Sequence, residues 1–145
     1  MTYPLLLIVH LFAAIMFVGT VFFEVIMLEG VRKHVPKEAM RTLEGAIGVR
    51  ARALMPWVLL VLFGAGLGLA WFHKAALAMP MASNFGLLLS IKILLAVSVF
   101  GHFVTAMLLH RYGKLRSRAS QRLHISVFVH VVIIVFLAKL MFYAG

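Results

Sequence analysis

The chain has 145 residues, 64% hydrophobic and only 12% charged, with a formal net charge of +10. That ratio excludes a soluble globule, which at this length needs a polar skin these residues cannot supply, and it makes the chain an integral membrane protein. The absence of cysteine excludes disulfides, thiolate metal sites and cysteine redox chemistry within it.

In chain order, four stretches are long enough to cross a bilayer core of roughly 30 Å as helices, near 4–28, 52–72, 85–110 and 123–143. No cationic segment precedes the first and no small-residue cleavage site follows it, so it reads as a retained span rather than a signal peptide. The third and fourth are rich in Val and Ile, but their length in a membrane setting favours helix over strand. The first connection carries Arg32, Lys33, Lys37, Arg41, Arg50 and Arg52, and the third Arg111, Lys114, Arg116, Arg118 and Arg122. The second, 73–84, has only Lys74. Such cations meet membrane lipid headgroups rather than nucleic acid, and by the positive-inside rule they place loops one and three in the cytoplasm and both termini outside. Within loop one, Pro36 and the apolar spacing of Met40, Leu43, Ile47 and Leu54 predict a short amphipathic interfacial helix running into span two. The expected fold is all-α: a single transmembrane domain built as a four-helix bundle, with no internal repeat standing out.

This topology turns position into depth. At 1.5 Å per residue, His10 lies roughly 9 Å and Lys92 roughly 10 Å below the outer ends of their helices, while His102 and His130 lie roughly 12 Å below the inner surface. Ionisable groups at such depths face a protein interior and carry function by default. His10, Ala14, Phe17, Val21 and Glu24 share one stripe of helix one, Ser98, His102 and Thr105 share a face of helix three, and Ser126 and His130 stand one turn apart on helix four. Helix two offers Gly64-Ala-Gly-Leu-Gly68, a run of small residues that lets a backbone or a flat cofactor come close.

Each feature has two readings. His10 is a ligand, or a polar residue satisfied by a neighbouring helix. His102 and His130 are an axial pair for a haem iron, or hydrogen-bonded partners across a helix interface. Lys92 holds an anion such as a porphyrin propionate, or stretches its stem to the headgroups, as Lys139 near its helix end is expected to do. Glu24 is expected to pair with a loop arginine. His34, His110 and His124 read as interfacial surface residues, and His73 sits at the outer rim. Met79 and Met81 are the one tight methionine pair, a weak copper signal.

Taken together, HLFAAIMFVGTVFF from His10, KEAMRTLEGAIGVRARALMPWVLLVLFGAGL, and IKILLAVSVFGHF resemble the first three helices of HemJ-type protoporphyrinogen oxidases and related CopD-like four-helix membrane proteins. The resemblance spans most of the chain and rests on the combination of His10, Lys92 and His102. It implies haem b, a bacterial inner-membrane location, and His10 and Lys92 as the functional and catalytic pair in the six-electron oxidation of protoporphyrinogen. The chain departs from that pattern in having Phe23-Glu24 where such proteins carry an arginine, and in the buried His130. A further buried histidine is similar to four-helix di-haem cytochromes b, which pass electrons between quinol and an acceptor. The functional expectation is therefore a haem b membrane redox protein with a tetrapyrrole or quinol substrate. A haem-free copper-handling protein, in which the histidines bind the metal directly, and a structural subunit of a larger complex are the alternatives. Four short helices enclose little volume, so a homodimer is a natural assembly.

Overall fold

A computed structural model of the chain describes residues 1–115 and 117–144; Arg116 of the third connection lies outside the described residues. All its regular elements are helical, and four are long and apolar enough to cross a membrane. That is the outcome expected where no water can satisfy exposed backbone groups.

Helix α1 (Thr2–Phe22) passes into a π-helical turn, Phe23–Leu28, and a last turn α2 (Glu29–Arg32). Helix α3 (Lys37–Phe72) is 36 residues long, about 54 Å at 1.5 Å per residue, well beyond a bilayer core. The amphipathic segment expected to run into span two is thus the first part of α3, continuous with the span. Pro56, which cannot donate to the carbonyl of Arg52, is carried inside it. Arg32 joins the two helices: its guanidinium binds Glu29 at 3.0 and 3.1 Å and also reaches Glu44. Loop arginine thus pairs with Glu29 and Glu44.

The chain divides into two compact units, Met1–Phe72 and His73–Gly145, each built on an antiparallel pair of long helices. In the first unit α1 runs against α3. Tyr3 meets Phe72 edge-on with ring centroids 5.3 Å apart, Leu6 lies over Gly68 and His10 over Gly66. Its buried side chains are Ala13, Val21 and Leu28 facing Met40, Val58, Leu59 and Ala65.

The second unit begins with α4 (Lys74–Ala78) and a 3-10 turn, Pro80–Ala82, folded onto the start of α5 (Asn84–Arg111). Ser83 caps α5 by accepting from the Gly86 N–H at 3.0 Å. Gly86 is required there, because a Cβ would stand 2.9 Å from the carbonyl oxygen of Ala76. Helix α5 ends at Gly113, whose φ of 67° is the left-handed conformation glycine adopts without penalty. Helix α6 (Ser117–Tyr143) returns along α5, and the Asn84 side-chain amide donates to the Ala144 carbonyl at 2.7 Å, closing the hairpin. Leu89 and Val99 pack with Val131, Leu137 and Met141. Many large apolar side chains, among them Phe12, Trp57, Leu67, Leu94 and Phe136, are exposed along the helices. A surface of this kind suits lipid, so the architecture fits a multi-pass membrane protein.

Candidate functional site

In the first unit, His10 is half-buried and its Nδ1 lies 2.9 Å from the Leu62 carbonyl oxygen on α3. A carbonyl only accepts, so Nδ1 carries the hydrogen and, in the neutral ring, Nε2 carries the lone pair. The ring fits there because position 66 has no side chain: a Cβ on Gly66 would lie 3.1 Å from His10 Cε1 and 3.3 Å from Nδ1. Gly64, which sequence spacing marks together with Gly68, has nothing within 4 Å of its Cβ position. The close-approach residues are Gly66 and Gly68.

In the second unit, His102 on α5 and His130 on α6 come together with ring centroids 5.0 Å apart and planes at 61°. They do not bond each other. His102 Nδ1 donates to the Ser98 carbonyl at 2.7 Å, one turn back on its own helix, and its Nε2 accepts from the Ser126 hydroxyl at 2.8 Å. His130 repeats the pattern with the helices exchanged, donating from Nδ1 to the Ser126 carbonyl at 2.7 Å and accepting from the Ser98 hydroxyl at 3.0 Å. The four bonds close a ring in which each imidazole nitrogen has a partner, the satisfaction that polar groups need in hydrocarbon.

The signal for this quartet is legible in the chain. Residues 98–102 read Ser-Val-Phe-Gly-His and residues 126–130 read Ser-Val-Phe-Val-His. Sequence spacing puts each serine beside its own histidine; only antiparallel packing shows that each hydroxyl serves the other helix's ring. The serines also break a habit. Thr20, Thr42, Ser90 and Thr105 all turn their hydroxyls onto the carbonyl four residues back, the usual resort of a helical hydroxyl. Ser98→Ala and Ser126→Ala each leave one Nε2 without its donor. Each is expected to lower stability by about 0.6–1.7 kcal/mol, the range for interhelical hydrogen bonds in membranes, measurable as loss of helicity in a denaturing-detergent titration.

Lys92 is half-buried on α5 with no hydrogen bond or ion pair among the described residues. Residues 73–145 contain no aspartate or glutamate to pair with it. His34, His110, His124 and Lys139 are exposed, as surface residues should be, and His73 precedes α4 with its ring against Phe85, centroids 5.3 Å apart. Met79 and Met81 are exposed, and no group of three or more His, Cys, Asp or Glu able to hold a metal ion occurs among the described residues.

The His102 and His130 ring centres lie 5.0 Å apart, about 1 Å closer than two imidazoles would be if bound to one metal from opposite sides. His10 does fit an axial ligand: its tautomer and ring plane are fixed by a carbonyl on the neighbouring helix, the support ligating histidines normally have. Comparison of the chain with known protein families, with characterised proteins and with solved structures gives no match.

Proposed function

We propose that this is a haem b-binding redox protein of the bacterial inner membrane, with His10 as an axial ligand and the basic connections on the cytoplasmic side. The observation that carries the reading is the His10–Leu62 hydrogen bond of 2.9 Å within an apolar span, which orients an imidazole with its lone pair on Nε2. Charge favours haem over a bare ion. A ferrous iron is neutralised by its porphyrin dianion, whereas a cation held only by neutral imidazoles would carry its whole charge into hydrocarbon. Lys92, in the second unit, carries a cation that suits an anionic group such as a tetrapyrrole carboxylate; protoporphyrinogen or a membrane quinol is the electron donor this chemistry would serve. The haem supplies one-electron redox chemistry. The residues of the chain orient the ligand, exclude water and hold the anion.

The short distance between the His102 and His130 rings suits two ligands on one small ion, so a copper-handling protein is the second reading. Oxidised and dithionite-reduced absorption spectra of the detergent-purified chain, with pyridine haemochrome and copper quantitation, separate the two. A b-type spectrum is the expected result. A colourless protein from haem-replete cells overturns it, and bound copper in that preparation establishes the second reading.

A further inference from the structure

Charge is divided unequally between the two units. All four carboxylate side chains lie in residues 1–72, whereas residues 73–145 hold eight lysines and arginines and no aspartate or glutamate. The two basic connections therefore differ in kind. In the first, Arg32 is bound to Glu29 and Glu44, and Glu38 stands within a turn of Lys37 and Arg41. In the second unit Arg111, Lys114, Arg118 and Arg122 are exposed, and none has a hydrogen bond or ion pair among the described residues. The backbone at the end of α5 closes on itself: the N–H groups of Tyr112, Gly113, Lys114 and Leu115 donate to the carbonyls of Leu108, His110 and Leu109 at 2.7–3.1 Å. No side chain is needed to cap it.

Their placement matters as much as their charge. The crossed bonds Ser98–His130 and His102–Ser126 fix the register of α5 against α6. Carried toward the connection, that register sets Arg118 level with His110, and Arg122 about one turn deeper, level with Ala106. Each helix also brings an exposed apolar stripe up to a guanidinium. On α5, Val104 and Leu108, 38% and 47% exposed, precede Arg111 at helical spacing. On α6, Arg118 and Arg122 precede Ile125 and Val129, 55% and 49% exposed, at the same spacing. Cations at the foot of lipid-facing stripes lie in the headgroup layer. Phosphate is already concentrated there, and a soluble acidic protein would have to displace it. A lipid with an anionic head answers both features at once: acyl chains cover the stripes, and phosphate oxygens accept from guanidiniums, whose fork matches them.

We propose that the connected ends of α5 and α6 form a binding surface for anionic glycerophospholipid. Arg111, Lys114, Arg118 and Arg122 hold the headgroup phosphate, and the Val104–Leu108 and Ile125–Val129 stripes carry the acyl chains. Selectivity follows from charge. A zwitterionic headgroup brings its own ammonium to a surface already in excess of cations, whereas an anionic one relieves their mutual repulsion. Each cation engaged in this way is worth roughly fivefold in binding. Arg122, the deepest, extends its stem upward and reaches the phosphate from the hydrocarbon side, while Lys114 meets it from the aqueous side. The first connection, with carboxylates interleaved among its cations, contributes little to this preference and ties α2 to α3 instead.

The inference is independent of haem and of which leaflet the connection faces. Native mass spectrometry tests it on the full chain in detergent, offered equal amounts of phosphatidylglycerol and phosphatidylcholine with identical acyl chains. The expected result is at least roughly fivefold more phosphatidylglycerol bound, a preference that shrinks as salt screens it. Arg111→Gln/Arg118→Gln/Arg122→Gln is expected to bring the two lipids to parity. Lys33→Gln/Lys37→Gln/Arg41→Gln removes the same charge from the first connection and is expected to keep the preference. Far-ultraviolet circular dichroism checks that both variants stay helical, and Arg111→Gln and Arg122→Gln singly, milder for folding, are each expected to lower the preference part-way. Equal binding of the two lipids by the unsubstituted chain overturns the proposal, as do equal losses in the two triple variants. Chain-free glycerol phosphate bound in place of the lipid overturns it in favour of a soluble phosphate site. Polyglutamate binding that survives excess phosphatidylglycerol overturns it in favour of an acidic protein partner.

Discussion

His10→Ala is expected to abolish the b-type Soret band while the protein remains helical and membrane-inserted. The imidazole contributes two separable things. Its Nδ1–H bond to Leu62 at 2.9 Å is one interhelical hydrogen bond, worth about 0.6 kcal/mol on average in a membrane. Its removal leaves the Leu62 carbonyl to the backbone of α3, so no buried acceptor is stranded. In the proposed site, by contrast, Nε2 supplies the bond to iron, and alanine has nothing to put in its place. The loss therefore falls on haem content rather than on the fold. Two measurements check it together: the haem-to-protein ratio by pyridine haemochrome, and helicity by far-ultraviolet circular dichroism. Imidazole added to the buffer is expected to restore part of the Soret band by filling the vacated space. Full haem retention in the variant would remove His10 from the iron, and with it the reading built on that residue.

The second large effect is expected at Gly66. A leucine there projects its Cβ to 3.1 Å from His10 Cε1 and 3.3 Å from Nδ1, with the rest of the side chain directed at a ring that is pinned to Leu62. The ring cannot rotate aside without giving up that bond, so α1 must shift from α3. Overpacking of this kind costs about 1–3 kcal/mol, and haem content should fall with it because the ligand is re-aimed. Two control substitutions separate packing from composition. Gly68→Ala meets the Leu6 Cδ1 atom at 2.9 Å, but that atom ends a flexible side chain that can turn away. A glycine-to-alanine change also gains about 0.8–1.0 kcal/mol of helix propensity, so little net loss follows. Gly64→Leu projects into open space and is expected to leave both stability and haem content near those of the unsubstituted chain. Thermal or detergent denaturation of the three variants decides the matter, and equal losses at positions 64 and 66 would mean that the glycine contact with His10 is not what matters.

Much of this molecule is readable without a fold. Apolar runs of sufficient length dictate membrane helices, because hydrocarbon leaves the backbone no partner other than itself. The four spans therefore follow from composition, and so does the presence of ionisable residues within them. The amphipathic segment after Pro36 is equally legible as helix. So is its running into the second span; an apolar periodicity leaves open only whether the two helical stretches share one unbroken axis.

The site divides in the same way. Spacing alone places His102 with Ser98 and His130 with Ser126, because one turn of helix is a local property. The exchange of hydroxyls between helices depends on the register of α5 against α6. That register is set along the whole length of the two helices, where Leu89, Val99, Val131, Leu137 and Met141 are buried and where Asn84 bonds Ala144. Likewise, the run from Gly64 to Gly68 announces close approach, but which glycine receives His10 depends on the rotation of α3 about its axis, and position 66 rather than 64 meets the ring. Local chemistry and depth are thus determined by the sequence itself. Which lone pair faces which donor is a non-local quantity, and only the tertiary structure decides it.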